Sequence, residues 1–284
     1  MFNVLSVDDL SQDFLISLWD EAYDRKGKRN KKLNGKILTN LFYEPSTRTS
    51  SSFYSAMKLS GGDVIPINNV TFSSVSKGES LEDTVKTISQ MCDLIVLRHN
   101  VAGSAKIASQ VSGVPIINAG DGNSEHPTQT ILDGYTIYHY FNKKIDNLNI
   151  TLVGDLKNGR TVKSLVKLLT RFKNNKFNFV SPENLRFDGQ LPPNSSEVSD
   201  INKVIEETDI LYVTRVQKER GSKYNYELSI DQLNKIPKNS IVMHPFPRVT
   251  EIPSSFDNDP RAKYFDQIKF GVWCRQILLE RILL

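Results

Sequence analysis

Short apolar runs recur along the chain, separated by longer stretches in which apolar positions return every three or four residues. The first pattern suits a strand buried on both faces, the second an amphipathic helix. Their alternation predicts an α/β protein built from parallel sheets with helical crossovers. Strands are expected at Ile37 to Tyr43, Asp63 to Ile67, Leu94 to Leu97 and Pro115 to Asn118. The second half adds Ile150 to Val153, Phe177 to Val180, Ile210 to Thr214 and Ile241 to His244.

Helix starts can be read between them. Ser80-Leu-Glu-Asp83 has the form of a capping box ahead of Val85 and Ile88. Pro127 suits a first helical position, with the helix running to about Phe141. This helix should carry the chain from one half to the other, giving two α/β domains at 1–132 and 133–284, each a parallel sheet flanked by helices. The last segment, Ala262 to Leu284, ends in an apolar helix with Ile277, Leu278, Ile282 and Leu283. From about residue 270 it is expected to pack back on the first domain.

Composition narrows the class. A hydrophobic content of 39% argues against a disordered chain. Asp8, Asp9, Asp13 and Asp20 are foreign to a signal or transit peptide. No apolar run approaches the roughly 18 residues of a membrane span. The expectation is a cytoplasmic protein with no membrane partner. Cys92 and Cys274 stand far apart in apolar surroundings without CxxC spacing, and read as buried thiols rather than metal ligands. The net charge of +4 is modest. Arg25 to Lys32 is the one dense basic run, read as a solvated segment before a strand, so no nucleic-acid partner is expected.

Ligands in open parallel sheets gather beyond the carboxyl ends of the strands. There the sequence places arginine or histidine repeatedly: Ser46-Thr-Arg-Thr49, Arg98-His99, His126 to Gln129, Arg160, Arg215 and His244 to Arg248. Ser46 to Thr49 at a helix start could bind phosphate through backbone N–H groups, hydroxyls and the Arg48 fork. It could equally be an ordinary cap beside a solvent-facing arginine. Arg98 and His126 could polarise a carbonyl, or be a surface ion pair and a structural histidine. His126 and Gln129 share one helix face. Arg160 and Arg215 could each clamp a carboxylate, or pair with Asp155 and Glu219.

Taken together these stretches resemble the carbamoyltransferase family, and its aspartate-specific branch in particular. The resemblance rests on Phe42 to Ser50, Lys77-Gly-Glu79, Leu97-Arg-His99, Asn118 to Gly122 with His126 to Gln129, Val153 to Lys157 with Gly159-Arg160, Thr214 to Arg220, and His244-Pro-Phe-Pro-Arg248. They stand in family order over nearly the whole chain. The resemblance implies transfer of a carbamoyl group from carbamoyl phosphate to L-aspartate, as in de novo pyrimidine biosynthesis, with no metal or organic cofactor. It assigns Ser46, Thr47, Arg48, Thr49 and Arg98 to the phosphate. Thr49, Arg98 and His126 fall to the carbonyl oxygen, with Arg48, Thr49, Arg98 and His126 as the catalytic set. Gln129 and the carbonyls of Pro245 and Phe246 fall to the amide. Lys77, Arg160, Arg215 and Gln217 fall to aspartate, with Ser73 and Lys77 supplied by a neighbouring subunit, which implies a homotrimer with shared active sites. Nothing in the sequence identifies a regulatory chain.

The ornithine branch has cysteine after the histidine where Pro245 stands, and Arg215-Val-Gln217 suits a second carboxylate. Departures from the common pattern are Ser50, Tyr54, Phe246, Lys269-Phe270-Gly271 and the short segment Gly221 to Tyr226. The competing readings are a non-catalytic trimeric scaffold and a carbamoyltransferase for another amine.

Overall fold

The computed structural model describes residues 1–68, 78–215 and 226–284. The chain divides into two compact units: residues 1–135 with 268–284, and residues 136–267.

The first unit is built on a parallel sheet of four strands in the order β2-β1-β3-β4. These are β1 (Ile37–Phe42), β2 (Asp63–Ile67), β3 (Leu94–His99) and β4 (Ile116–Asp121). Parallel neighbours cannot be joined by a tight turn, so helices make the returns. They are α2 (Thr47–Leu59) after β1, α3 (Leu81–Ile88) after β2 and α4 (Ser104–Val111) after β3. Both sheet faces are thereby covered, and Leu94 to Leu97 and Ile116 to Asp121 are buried without alternation. Ser80 caps α3 by accepting a hydrogen bond from the Asp83 N–H at 3.1 Å. Ahead of the sheet, α1 (Gln12–Arg25) buries Trp19, whose indole donates to the Ile131 carbonyl at 3.0 Å.

The second unit has a five-stranded parallel sheet in the order β7-β6-β5-β8-β9. Its strands are β5 (Asn149–Val153), β6 (Lys176–Val180), β7 (Ser195–Val198), β8 (Ile210–Val213) and β9 (Ile241–Met243). Strand β7 is an addition to the sequence expectation. Its Ser-Ser-Glu-Val sequence carries no apolar run because it is a partly exposed edge that pairs on one side only. Helix α5 (Pro127–Tyr140) runs from one unit into the next, α6 (Arg160–Leu169) follows β5, and α7 (Ile230–Asn234) precedes β9.

The last helix, α8 (Tyr264–Leu283), returns the C-terminus to the first unit. Glu280 is its anchor. The carboxylate receives both Arg25 Nη atoms at 2.7 Å, Ser60 Oγ at 2.7 Å and Asn30 Nδ2 at 3.0 Å. Arg25 is therefore half-buried and paired, which corrects its reading as part of a solvated basic segment. The departure at Lys269-Phe270-Gly271 also has a use. Phe270 is buried with its ring 5.1 Å from those of Tyr135 and Trp273. Cys274 is buried as expected, but Cys92 is only half-buried, because α3 has already ended and a bend brings the chain out before β3.

Two stability predictions follow from these contacts. Burial alone would raise the Glu280 carboxyl, but hydrogen bonds from Arg25, Ser60 and Asn30 bring it down to about 2. A carboxylate depressed in the folded state contributes fully above its ordinary value of 4.5 and loses that contribution as pH falls toward about 2. Glu280→Gln should cost about 1.5–3 kcal/mol at neutral pH, because the half-buried Arg25 loses its two-pronged acceptor and keeps Glu21. Urea unfolding should show the difference shrinking between pH 4.5 and pH 2. At Gly154, φ is +113° and an added Cβ would lie 2.2 Å from the Thr214 carbonyl oxygen. Gly154→Ala should destabilise by about 2–4 kcal/mol through overpacking and backbone strain together, read in the same experiment.

Candidate active site

Each sheet has one place where successive connections leave in opposite directions. In the first unit it lies between β1 and β3, and in the second between β5 and β8. Crevices outside the carboxyl ends of such strand pairs are where open α/β sheets bind ligands. The predicted residues fall there: Ser46 to Thr49 follow β1, Arg98 lies at the end of β3 beside His99, Arg160 follows β5, and Arg215 follows β8.

In the first unit, Ser46 occupies the cap position of α2 in an extended conformation, with no side-chain cap hydrogen bond. The ordinary-cap reading therefore does not describe it. Its hydroxyl instead receives Arg98 Nη1 at 3.4 Å, and Arg98 Nε lies 3.3 Å from Glu44 Oε2. The first turn of α2 has no acidic residue. No acid within the turn itself offsets its N-terminal N–H groups and dipole, an arrangement suited to an anion. Thr47 and Arg48 are exposed in that turn, while Thr49 is buried. Glu44 escaped the sequence reading as a site residue. An acid two residues before a serine cap beside a strand-end arginine was the available signal.

Ser50, a departure from the common pattern, is absorbed into the helix base. Its carbonyl accepts from Asn40 Nδ2 at 3.0 Å and its hydroxyl donates to Asn68 Oδ1 at 2.5 Å.

The loop after β4 delivers His126. Glu125 pins this loop to the N-terminal segment, with Oε2 accepting the Val7 N–H at 2.7 Å and the carboxylate receiving the Ser6 hydroxyl at 3.0 Å. His126 is buried, and its carbonyl accepts the N–H groups of Gln129 at 3.0 Å and Thr130 at 3.2 Å, which starts α5. His126 therefore stands immediately before the first turn of that helix, which carries Gln129 and is also free of acids. The Gln129 Nε2 donates to Asp133 Oδ1 at 2.9 Å.

His99 serves the turn rather than a ligand. Its Nδ1 accepts the Val101 N–H at 3.0 Å, and burial lowers its pKa.

In the second unit, Thr214 ties the ends of β5 and β8 together, its N–H and hydroxyl donating to the Val153 carbonyl at 2.8 Å and 3.0 Å. Arg215 follows directly and is partly exposed. Arg160 opens α6, whose first turn lacks acids. Asp155, fully buried, accepts the Asn158 N–H and so shapes the loop between them. Beyond β9, Pro245 and Phe246 form a turn held by the Phe246 N–H donating to His244 Nδ1 at 2.8 Å, with Phe246 at φ +57°. The His244 Nε2 lies 3.8 Å from Glu251 Oε2. Arg248 is a structural ion pair, with both guanidinium nitrogens on Asp257, whose carboxyl it lowers. Ser73, Lys77, Gln217, Glu219 and all of Gly221 to Tyr226 except Tyr226 lie outside the described residues. Among those described, no group of three or more His, Cys, Asp or Glu could hold a metal ion.

Known proteins share this architecture. Residues 3–139 match the carbamoyl-P binding domain of the aspartate/ornithine carbamoyltransferases, and residues 146–282 match their Asp/Orn binding domain. The aspartate carbamoyltransferase catalytic subunit of Methanococcus vannielii is 46% identical, covering 99% of this chain and 97% of the relative. That of Thermoplasma volcanium is 45% identical over 99% and 98%. Among solved structures, the catalytic subunit of M. Jannaschii aspartate transcarbamoylase superposes with a TM-score of 0.90 at 42% identity, covering 100% and 98% of the two chains. Aspartate transcarbamoylase from Trypanosoma cruzi, in complex with N-(phosphonacetyl)-L-aspartic acid, gives 0.93 at 36% identity over 99% and 96%. With both halves matched in order and relatives similar from end to end, the chain belongs to the aspartate/ornithine carbamoyltransferase family.

Proposed function

We propose that this protein is an aspartate carbamoyltransferase, converting carbamoyl phosphate and L-aspartate to N-carbamoyl-L-aspartate and phosphate in pyrimidine biosynthesis. The observation that carries the reading is the acid-free start of α2 beside Arg98, at the switch point of the first sheet, matched by Arg160 and Arg215 at the switch point of the second. Aspartate as the acceptor is supported by the relatives that bear that name at 46% and 45% identity.

The chemistry assigns each group a task. The N-terminus of α2, with Ser46, Thr47, Arg48 and Thr49, holds the phosphate, and Arg98 adds charge where it meets the carbonyl. The Glu44 carboxylate keeps Arg98 oriented. The aspartate amine attacks the carbonyl carbon with its lone pair, and the C=O electrons move onto oxygen. Thr49, Arg98 and His126 stabilise that oxyanion by donating hydrogen bonds to it. Gln129 and the carbonyls of Pro245 and Phe246 hold the carbamoyl NH2. When the oxyanion collapses, the C–O bond to phosphate breaks and the phosphate leaves with the electron pair, accepting the amine proton. Arg160 and Arg215, with Gln217 and Lys77, hold the aspartate carboxylates. Most of the catalytic advantage then comes from aligning two mutually repelling anions.

The assembly belongs to the same proposal: a homotrimer in which Ser73 and Lys77 reach a neighbour's site. The proposed compartment is the cytoplasm, where the free thiols of Cys92 and Cys274 stay reduced.

Purified protein should form N-carbamoyl-aspartate and phosphate with aspartate and give no product with ornithine; product from ornithine alone would reverse the assignment. Sedimentation should give three times the 32.2 kDa mass of one chain. Arg215→Ala should raise the KM for aspartate about 10- to 100-fold, the loss of a charge-assisted hydrogen bond, with the carbamoyl phosphate KM little changed. Arg48→Ala should instead abolish binding of carbamoyl phosphate in calorimetry.

A further inference from the structure

Gln129 is half of a pair. Its partner Asp133 lies one turn further along α5, is fully buried, and receives Gln129 Nε2 at 2.9 Å. A carboxylate only accepts hydrogen bonds, so the amide nitrogen must be the end that turns toward it. The amide oxygen is then the end presented on the other side. We propose that Asp133 is a positioning residue that fixes the orientation of the Gln129 amide, so that its oxygen faces the carbamoyl NH2 and selects a carbamoyl phosphate over acyl phosphates without that group. This rests on the reading that Gln129 holds the carbamoyl amide.

The complementarity is one of donors and acceptors. A carbamoyl NH2 offers only donors. A Gln129 amide turned the other way would set NH2 against NH2, and the pair would repel. A neutral amide carries no preference for one flip over the other, so an acceptor-only neighbour is what breaks the symmetry.

A buried cation supports Asp133 in that role. Arg275, on α8, is buried, donates from Nη1 to Ser52 Oγ at 2.8 Å and lies 5.0 Å over the Phe53 ring. Burial pushes it down to about 10 while the charge of Asp133 opposes the fall, so it stays a cation at neutral pH. Room for it depends on Gly271, where a Cβ would stand 2.7 Å from Arg275 Nη1 and 2.9 Å from Leu132. The same guanidinium thus grips the phosphate-side helix α2 and sits in the field of Asp133.

The test compares the KM for carbamoyl phosphate with the inhibition constant of acetyl phosphate, in which a methyl group replaces the NH2. Asp133→Asn lets residue 133 donate to the Gln129 oxygen and invites the flip. The preference for carbamoyl over acetyl phosphate should fall about tenfold or more, with acetyl phosphate itself binding as before. The exchanged pair, Gln129→Glu with Asp133→Asn, reverses the hydrogen bond, with residue 133 donating to residue 129, and leaves a second carboxylate oxygen for the substrate. It should regain the preference, and it serves as the reading on its own where Asp133→Asn alone does not fold. Parallel weakening of both ligands in Asp133→Asn, or an exchanged pair without preference, would reduce Asp133 to a packing residue and overturn the proposal. Gln129→Ala separates the two levels. If it leaves the preference intact, the assignment of Gln129 itself fails; if it abolishes the preference while Asp133→Asn does not, only the positioning role fails.

Discussion

Parallel pairing is the constraint from which the rest of this structure follows. A strand paired in parallel with its neighbour must be reached by a crossover, and the crossovers cover both faces of each sheet with helices. The interior is then apolar on both sides, as in the uninterrupted burial of β3, β5 and β8. Polar side chains that are to meet a ligand are left the strand ends. At β1 and β3, and again at β5 and β8, the returning chain departs to opposite sides, and the loops there part to leave room. The fold thus decides where charge can be used before any particular arginine is considered.

Which arginines are used for binding is decided by what faces them. Arg25, Arg248 and Arg261 are matched to Glu280, Asp257 and Asp259 with two or more hydrogen bonds each, and they hold segments together. Arg98 Nε lies 3.3 Å from Glu44 Oε2, and the same guanidinium donates to the Ser46 hydroxyl at 3.4 Å. In the proposed function a phosphate oxygen would be a further acceptor for it, with Glu44 holding the side chain in place.

Much of this was legible in the chain. Most of the eight expected strands announce themselves because burial on both faces demands unbroken apolar runs, although β2, at a sheet edge, is only partly buried. What stayed hidden involves pairs distant in sequence. Strand β7 is polar because it lies at an edge. Arg25 looked solvated because Glu280 is 255 residues away. Asp133 reads as an ordinary polar residue in a helix, and its value comes from a fully buried position and a neighbour on α8 that no local pattern displays. The half-buried Cys92 likewise depends on where a helix happens to end.

The return of α8 has a bearing on biogenesis. Residues 136–267 form one continuous stretch and can close their core as soon as they are made. The first unit is discontinuous: the partner of Arg25 and Ser60, and the guanidinium that reaches Ser52, come from the last seventeen residues, 268–284. During synthesis the earlier-made half must therefore wait, incompletely packed, until the later one has been finished, an inversion of the usual order in which domains mature from the N-terminus. Quality control of a nascent chain of this kind would act on the first unit, which is the last to become native.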